Sequence, residues 1–290
     1  LAQYGNNISN NIINSNNGSG VNHPTMLRGI LNGAAVSANV SITNNTISLK
    51  CGATASSLTA IENSAGATAA GNTVSINNNT ITGCAYPTAT TGSFTAIDNF
   101  NVSAAILNIN SNSILNNQTN SVSGATNFIR VSGIQTVALN INNNNMSGMT
   151  FNAANSGLLT GIANTNAVVT ASLSISGNNF ESINYSVPSS GINMYINWTS
   201  ATNTTANINS NKFTNLNVLT SGSVTFLKRN ANAMTSTGNE HCDSNSIVTG
   251  FFKGRSGGIV TFFKAGAGGC PNGSQMTENF NNFSNVTLSG

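Results

Sequence analysis

Three observations predict an all-β chain folded as a parallel β-solenoid, a right-handed β-helix with one coil per repeat of about 34 residues. A short phrase returns eight times at almost constant spacing. Apolar residues beside it alternate with polar ones at a period of two. Charged residues make up only 5% of the chain, which starves it of the Glu, Lys and Arg that helical repeats use.

The phrase is an aliphatic residue, two arbitrary residues, Asn, one arbitrary residue and an apolar residue. It runs from Ile8 to Ile13, Ile42 to Ile47, Ile76 to Ile81, Ile109 to Ile114, Ile141 to Met146, Ile175 to Phe180, Ile208 to Phe213 and Cys242 to Ile247. Its anchors are Asn11, Asn45, Asn79, Asn112, Asn144, Asn178, Asn211 and Asn245, so successive copies stand one repeat apart throughout. A ninth copy at Asn281 has Glu278 in place of the aliphatic residue, so eight to nine coils are expected.

Two positions before the aliphatic residue stand Val40, Val74, Leu107, Leu139, Leu173 and Ala206. A spacing of two puts both side chains on one face of a strand. About half a repeat later a second apolar strand recurs, as in Leu58-Thr-Ala-Ile61, Phe94-Thr-Ala-Ile97 and Leu159-Thr-Gly-Ile162. Two residues beyond its Ile, Asn returns at Asn32, Asn63, Asn99 and Asn164. The stretch between Phe128 and Ile134 resists this alignment.

A period of this length also fits tetratricopeptide and ankyrin units, but those need a helical periodicity and good helix formers. Only stacked strands remain. The anchor Asn then has two expected tasks. It adopts the left-handed backbone of a sharp corner, and its amide bonds its own equivalents up a stack spaced by about 4.8 Å. Residues 1–250 read as β-helix repeats. Residues 251–290, with Phe251-Phe252 and Phe262-Phe263, read as degenerate last coils or a transition to a next module.

Composition excludes several functions. A net charge of +3, thinly spread, is no nucleic-acid footprint. No apolar run approaches the ~20 residues of a membrane span. Zinc, P-loop and dinucleotide spacings are absent, so neither metal nor cofactor is expected. The chain opens Leu1-Ala2-Gln3 and closes Ser289-Gly290, and it reads as a segment of a longer mature protein.

Candidate chemistry is sparse. Cys51 and Cys84 lie close to one repeat apart, which places them on adjacent coils as a candidate disulfide; Cys242 and Cys270 form a second candidate pair, and buried free thiols are the alternative. Either disulfide implies an oxidising, extracellular setting. Glu62 and Asp98 fall in equivalent slots on adjacent coils, where Leu31 and Ala163 stand elsewhere. They are the residues to suspect of general acid–base work if the chain is an enzyme; otherwise they are solvated side chains. The cluster Glu240-His241-Cys242-Asp243 reads as structural loop, because strand neighbours alternate faces and cannot converge on one ion. A Thr row at Thr59, Thr95, Thr160, Thr225 and Thr261, of the kind ice-binding solenoids use, is interrupted by Arg28, Ile129 and Met194. Tyr185, Tyr195 and Trp198 are candidate sugar contacts if exposed, and core residues otherwise.

The repeats, with phrases such as Thr73-Val-Ser-Ile-Asn-Asn-Asn-Thr-Ile81 and Gly92-Ser-Phe-Thr-Ala-Ile97-Asp-Asn99, resemble right-handed parallel β-helix repeats. They are especially similar to repeat regions of giant surface proteins of Bacteroidota, among them gliding-motility adhesins exported by type IX secretion. The resemblance spans nearly the whole chain and implies a non-enzymatic stalk or filament segment at the cell surface. Its implied partners are flanking repeats of the same longer chain, surface polysaccharide or secretion machinery. No sorting domain of that system is recognisable. The competing expectations are a carbohydrate-active β-helix enzyme, lyase or glycosidase, and a viral or phage receptor-binding spike.

Overall fold

The computed structural model describes residues 5–15, 23–35, 37–66, 71–100, 102–164, 170–198, 202–229, 235–265 and 271–289. Among them every regular element is a strand, and no helix exists that would cross a membrane. Four parallel sheets form four walls. The first holds nine strands starting at Gly5–Ser9, the second eight starting at Ile12–Asn14, the third seven starting at Ala85–Tyr86, and the fourth eight starting at Leu27–Ala35. Each strand pairs only with its equivalents one repeat before and after, so the chain is a β-solenoid.

The register follows the repeat. Val40 and Ile42 face Val74 and Ile76 in the first wall, and Ile47 faces Ile81 in the second. All of these side chains are buried. In the fourth wall the stretch that resists alignment forms the strand Thr126–Ser132, with Ile129 opposite Ile97 and Ile162. The Thr row is therefore broken there by Asn127 rather than Ile129. Residues 251–265 and 271–289 keep the same walls: Phe251–Lys253 pairs with Leu216–Val218 and Val260–Lys264 with Val224–Arg229. Phe262 stacks on Phe283 at 5.3 Å and on Phe226 at 5.5 Å, and Phe283 meets Phe226 at a tilt at 6.0 Å, extending the apolar column.

The anchors do one of their two expected tasks. Between first and second walls the left-handed residue is the one before the anchor: Asn10, Asn44, Asn78, Ser111, Asn143, Ser210 and Ser244, with φ of 56–58°, Gly177 at 68° and, before the ninth anchor, Phe280 at 56°. Asn, Ser and Gly tolerate that corner, which then turns the anchor inward. There each anchor Nδ2 donates to the next anchor's Oδ1 at 2.9–3.0 Å, unbroken from Asn11 to Asn281. The same Oδ1 also accepts the preceding anchor's backbone N–H, and a second Nδ2 hydrogen goes to a strand carbonyl one coil back. At the interior anchors every polar group of the amide is used.

The second ladder is shorter than expected. Asn32 donates to Asn63 at 2.7 Å and Asn63 to Asn99 at 2.8 Å, but Val131 occupies the next rung and separates Asn164. Among the described residues, buried Asn99 Nδ2 is left without a partner. An orphaned buried donor costs about 1–3 kcal/mol. Val131→Asn is expected to rejoin the ladder and raise stability by about 1–2 kcal/mol in urea denaturation; an unchanged or lower midpoint would show that lost apolar contact outweighs the new bonds.

A glycine column that the sequence reading overlooked lines the corner before the fourth wall: Gly92, Gly124, Gly157, Gly191, Gly222 and Gly258. A Cβ on Gly124 would lie 2.1 Å from the Gly92 carbonyl oxygen, and one on Gly157 2.3 Å from that of Gly124. Because the obstacle is backbone, no rotamer change relieves it. Gly124→Ala is expected to cost about 1–3 kcal/mol, as overpacking does. Gly71→Ala, with nothing within 4 Å, should stay within about 0.5 kcal/mol in the same melt.

Two expectations are corrected. Cys51 and Cys84 are free buried thiols. Lys50 bridges Ala85, which sets Cys84 level with Leu49 and Cys51 level with Tyr86. The left-handed Gly83 adds the residue that shifts the two cysteines apart along the strands. Diagonal neighbours stand about 7 Å apart, beyond disulfide reach. Cys242 is also a free buried thiol, in the aliphatic column, and Cys270 lies outside the described residues. Tyr185, Tyr195 and Trp198 are buried, two of them at 0% exposure, and pack among Phe151, Phe180, Phe213 and Phe263. Hydroxyl- and indole-bearing rings serve the core here and are closed to sugars.

Candidate functional site

Charged side chains meet on the outer face of the fourth wall. Asp98 lies directly opposite Glu62 on one side and Arg130 on the other. One column across the strand, Arg28 is opposite Thr59, and Thr59 opposite Thr95. Glu62 and Asp98 are thus neighbours, as their slots imply. Each is held by an arginine outside the pair. Arg28 Nε donates to Glu62 Oε2 at 2.6 Å. Arg130 grips Asp98 with two bonds, Nε to Oδ1 at 3.0 Å and a closer one from Nη2 to Oδ2. The order along the wall is Arg, Glu, Asp, Arg.

The strands bend here, because two successive residues such as Ala60 and Ile61 both face inward. The outer face is therefore concave, and Thr59, Thr95 and Asp98 are only 3–5% exposed although they point away from the core. A cavity of about 230 Å³ results. Met26 and Phe100 form its apolar edges, and the Arg130 guanidinium sits 5.9 Å from the Phe100 ring centre. The bond with Asp98 raises the Arg130 pKa above its ordinary value; burial opposes this and the charge of Glu62 reinforces it. The same concavity keeps Thr160 and Thr225 buried, so the Thr row is a groove floor and no flat lattice.

Glu240, His241, Cys242 and Asp243 do not converge. They form strand and corner rather than loop, with Glu240 and Cys242 inward. Asp243 accepts the Asn279 backbone N–H at 2.6 Å, continuing an outer amide ladder in which Asn209 accepts that of Asp243. His241 Nδ1 lies 2.9 Å from Thr277 Oγ1 and 4.0 Å from Asp243. Among the described residues no group of three His, Cys, Asp or Glu is placed to hold a metal. Glu240 instead meets Arg229 Nε at 3.0 Å, both at most 2% exposed. Burial raises the Glu240 pKa, and Arg229 and Trp198 oppose that shift. Trp198 Nε1 and Glu240 Oε1 nonetheless lack a partner of normal hydrogen-bond geometry among the described residues.

Walls, ladders and groove define a parallel β-solenoid repeat protein. No family model matches the chain, and no curated protein or solved structure matches it either.

Proposed function

We propose that the chain is a rigid segment of a large secreted or cell-surface β-helix adhesin, a stalk or filament of the gliding-motility kind. The observation that carries this reading is the anchor ladder, unbroken over nine rungs with every interior amide satisfied. At about 4.8 Å per coil such a stack makes a rod of roughly 40 Å. Nearest-neighbour contacts of this type let length grow by adding coils, and near absence of charge limits self-repulsion between segments. Since the three described cysteines are free, an extracellular location rests on composition and repeat resemblance alone. Blotting native cells before and after proteinase shaving tests it. A species many times the mass of this segment, lost on shaving, is expected; a free species of the segment's own size in the medium would overturn the reading.

The paired carboxylates favour a second reading, a carbohydrate-active enzyme working through Glu62 and Asp98. Against it, Asp98 has both oxygens on Arg130 and Glu62 has one on Arg28. Polysaccharide degradation that disappears in Glu62→Gln with Asp98→Asn would establish this alternative.

A further inference from the structure

The cavity on the fourth wall has unspent binding capacity. Arg28 spends only Nε on Glu62, and Glu62 Oε1 accepts nothing among the described residues. Thr59 Oγ1 has no hydrogen-bond partner there either, while Thr95 Oγ1 receives only a long 3.4 Å bond from Asn127. Donors and acceptors therefore alternate along one concave strip. Two arginines balance two carboxylates, so the strip carries no net charge to attract an ion. Phe100, 43% exposed, offers a ring at one end, and Met26, 44% exposed, an apolar edge at the other. The volume of about 230 Å³ lies below the roughly 300–1,000 Å³ typical of drug-sized ligands and suits a single ring.

From this combination we infer that the cavity binds one neutral pyranose unit of a polysaccharide. Vicinal hydroxyls both donate and accept, so they match a guanidinium and a carboxylate side by side, and charge-assisted bonds of that kind are about twice as strong as neutral ones. The apolar face of the sugar ring matches the Phe100 edge. An anionic sugar would instead meet Glu62 and Asp98 as like charges. The inference gives the polysaccharide partner of the proposed adhesin a chemical class. It rests on that reading only for the glycan's being outside the cell.

The experiment is saturation-transfer NMR on the purified chain, with methyl glucoside, galactoside and mannoside as neutral probes and glucuronic acid as the charged one. At least one neutral glycoside is expected to bind, with affinity falling at least fivefold in Thr59→Val, Glu62→Gln and Phe100→Ala while denaturation midpoints stay near that of the parent. Asp98 is left intact because its loss strips Arg130 of its partner. Binding by none of the neutral probes, preference for glucuronic acid, or indifference to all three substitutions would overturn the inference. Cleavage of a bound glycoside would replace binding by hydrolysis. Since the test uses the isolated chain, its failure leaves the shaving result standing, and the reverse holds too.

Discussion

Asn144→Ala is expected to lower stability by about 3–5 kcal/mol, the largest loss for any single anchor at mid-rod. Removing this one amide breaks four bonds. Asn112 loses the acceptor of both its backbone N–H and its Nδ2, while Ile109 O and Asn178 Oδ1 each lose a donor. The two Asn112 donors are buried among apolar columns, and each costs about 1–3 kcal/mol when orphaned. At the rod's end the arithmetic differs. Asn11 is exposed, and Asn45 Oδ1 keeps the Asn11 backbone N–H whatever the side chain. Asn11→Ala should therefore cost no more than about 1 kcal/mol, since water satisfies what is lost. Asn144→Asp sharpens the test. It keeps the acceptor for Asn112 but sets a carboxylate against Ile109 O and Asn178 Oδ1. Its folded pKa must rise, so the variant should regain stability as pH falls and the carboxyl again donates. Urea midpoints for the three variants decide the matter. Equal losses at Asn144 and Asn11 would mean that the buried ladder bonds add nothing to what an exposed anchor contributes, and the ladder would not explain the anchors.

Much of this was legible in the repeat, and the errors have physical causes. Doublets such as Asn44-Asn45 and Asn78-Asn79 allow either residue to take the left-handed corner. Ser111-Asn112, Gly177-Asn178 and Ser210-Asn211 break the tie, since through the eighth copy the varying position draws on residues that tolerate αL, and only Phe280 of the ninth departs from this. The cysteine pairing failed through one extra residue at Gly83, a slip that coarse spacing cannot show. The groove was half visible. Glu62 and Asp98 aligned on their slots, but Arg130 lay in the stretch that resisted alignment, and Arg28 looked like a flaw in a Thr row. Its concavity depends on two successive inward residues at each bend, which a period-two reading does not anticipate. Glu240 was the reverse case. The repeat puts it in the column of Val40 and Ala206, facing inward, although the polar cluster around it reads as structural loop.

That inward acid sets the second large effect. Arg229→Met is expected to cost about 3–5 kcal/mol at neutral pH, because it leaves Glu240 as an uncompensated buried charge. The double variant Arg229→Met with Glu240→Leu should recover most of the loss, since apolar replacements of a buried ion pair are often neutral or stabilising. The sign of the pH dependence follows from burial. Desolvation already raises the Glu240 pKa, and nearby Glu278, itself raised by burial, adds to it. The folded state then holds protons that the unfolded chain has released. Stability from this group is full below the usual carboxylate pKa and is lost as pH rises through the raised folded value. Removing Arg229 takes away an opposing influence, so the single variant should lose more between pH 5 and pH 8 than the parent does. In the double variant Glu240's share of that dependence disappears, and what remains belongs to groups such as Glu278. A double variant as unstable as the single one would assign Arg229 a packing role, its stem filling the bend between fourth and first walls beside Trp198.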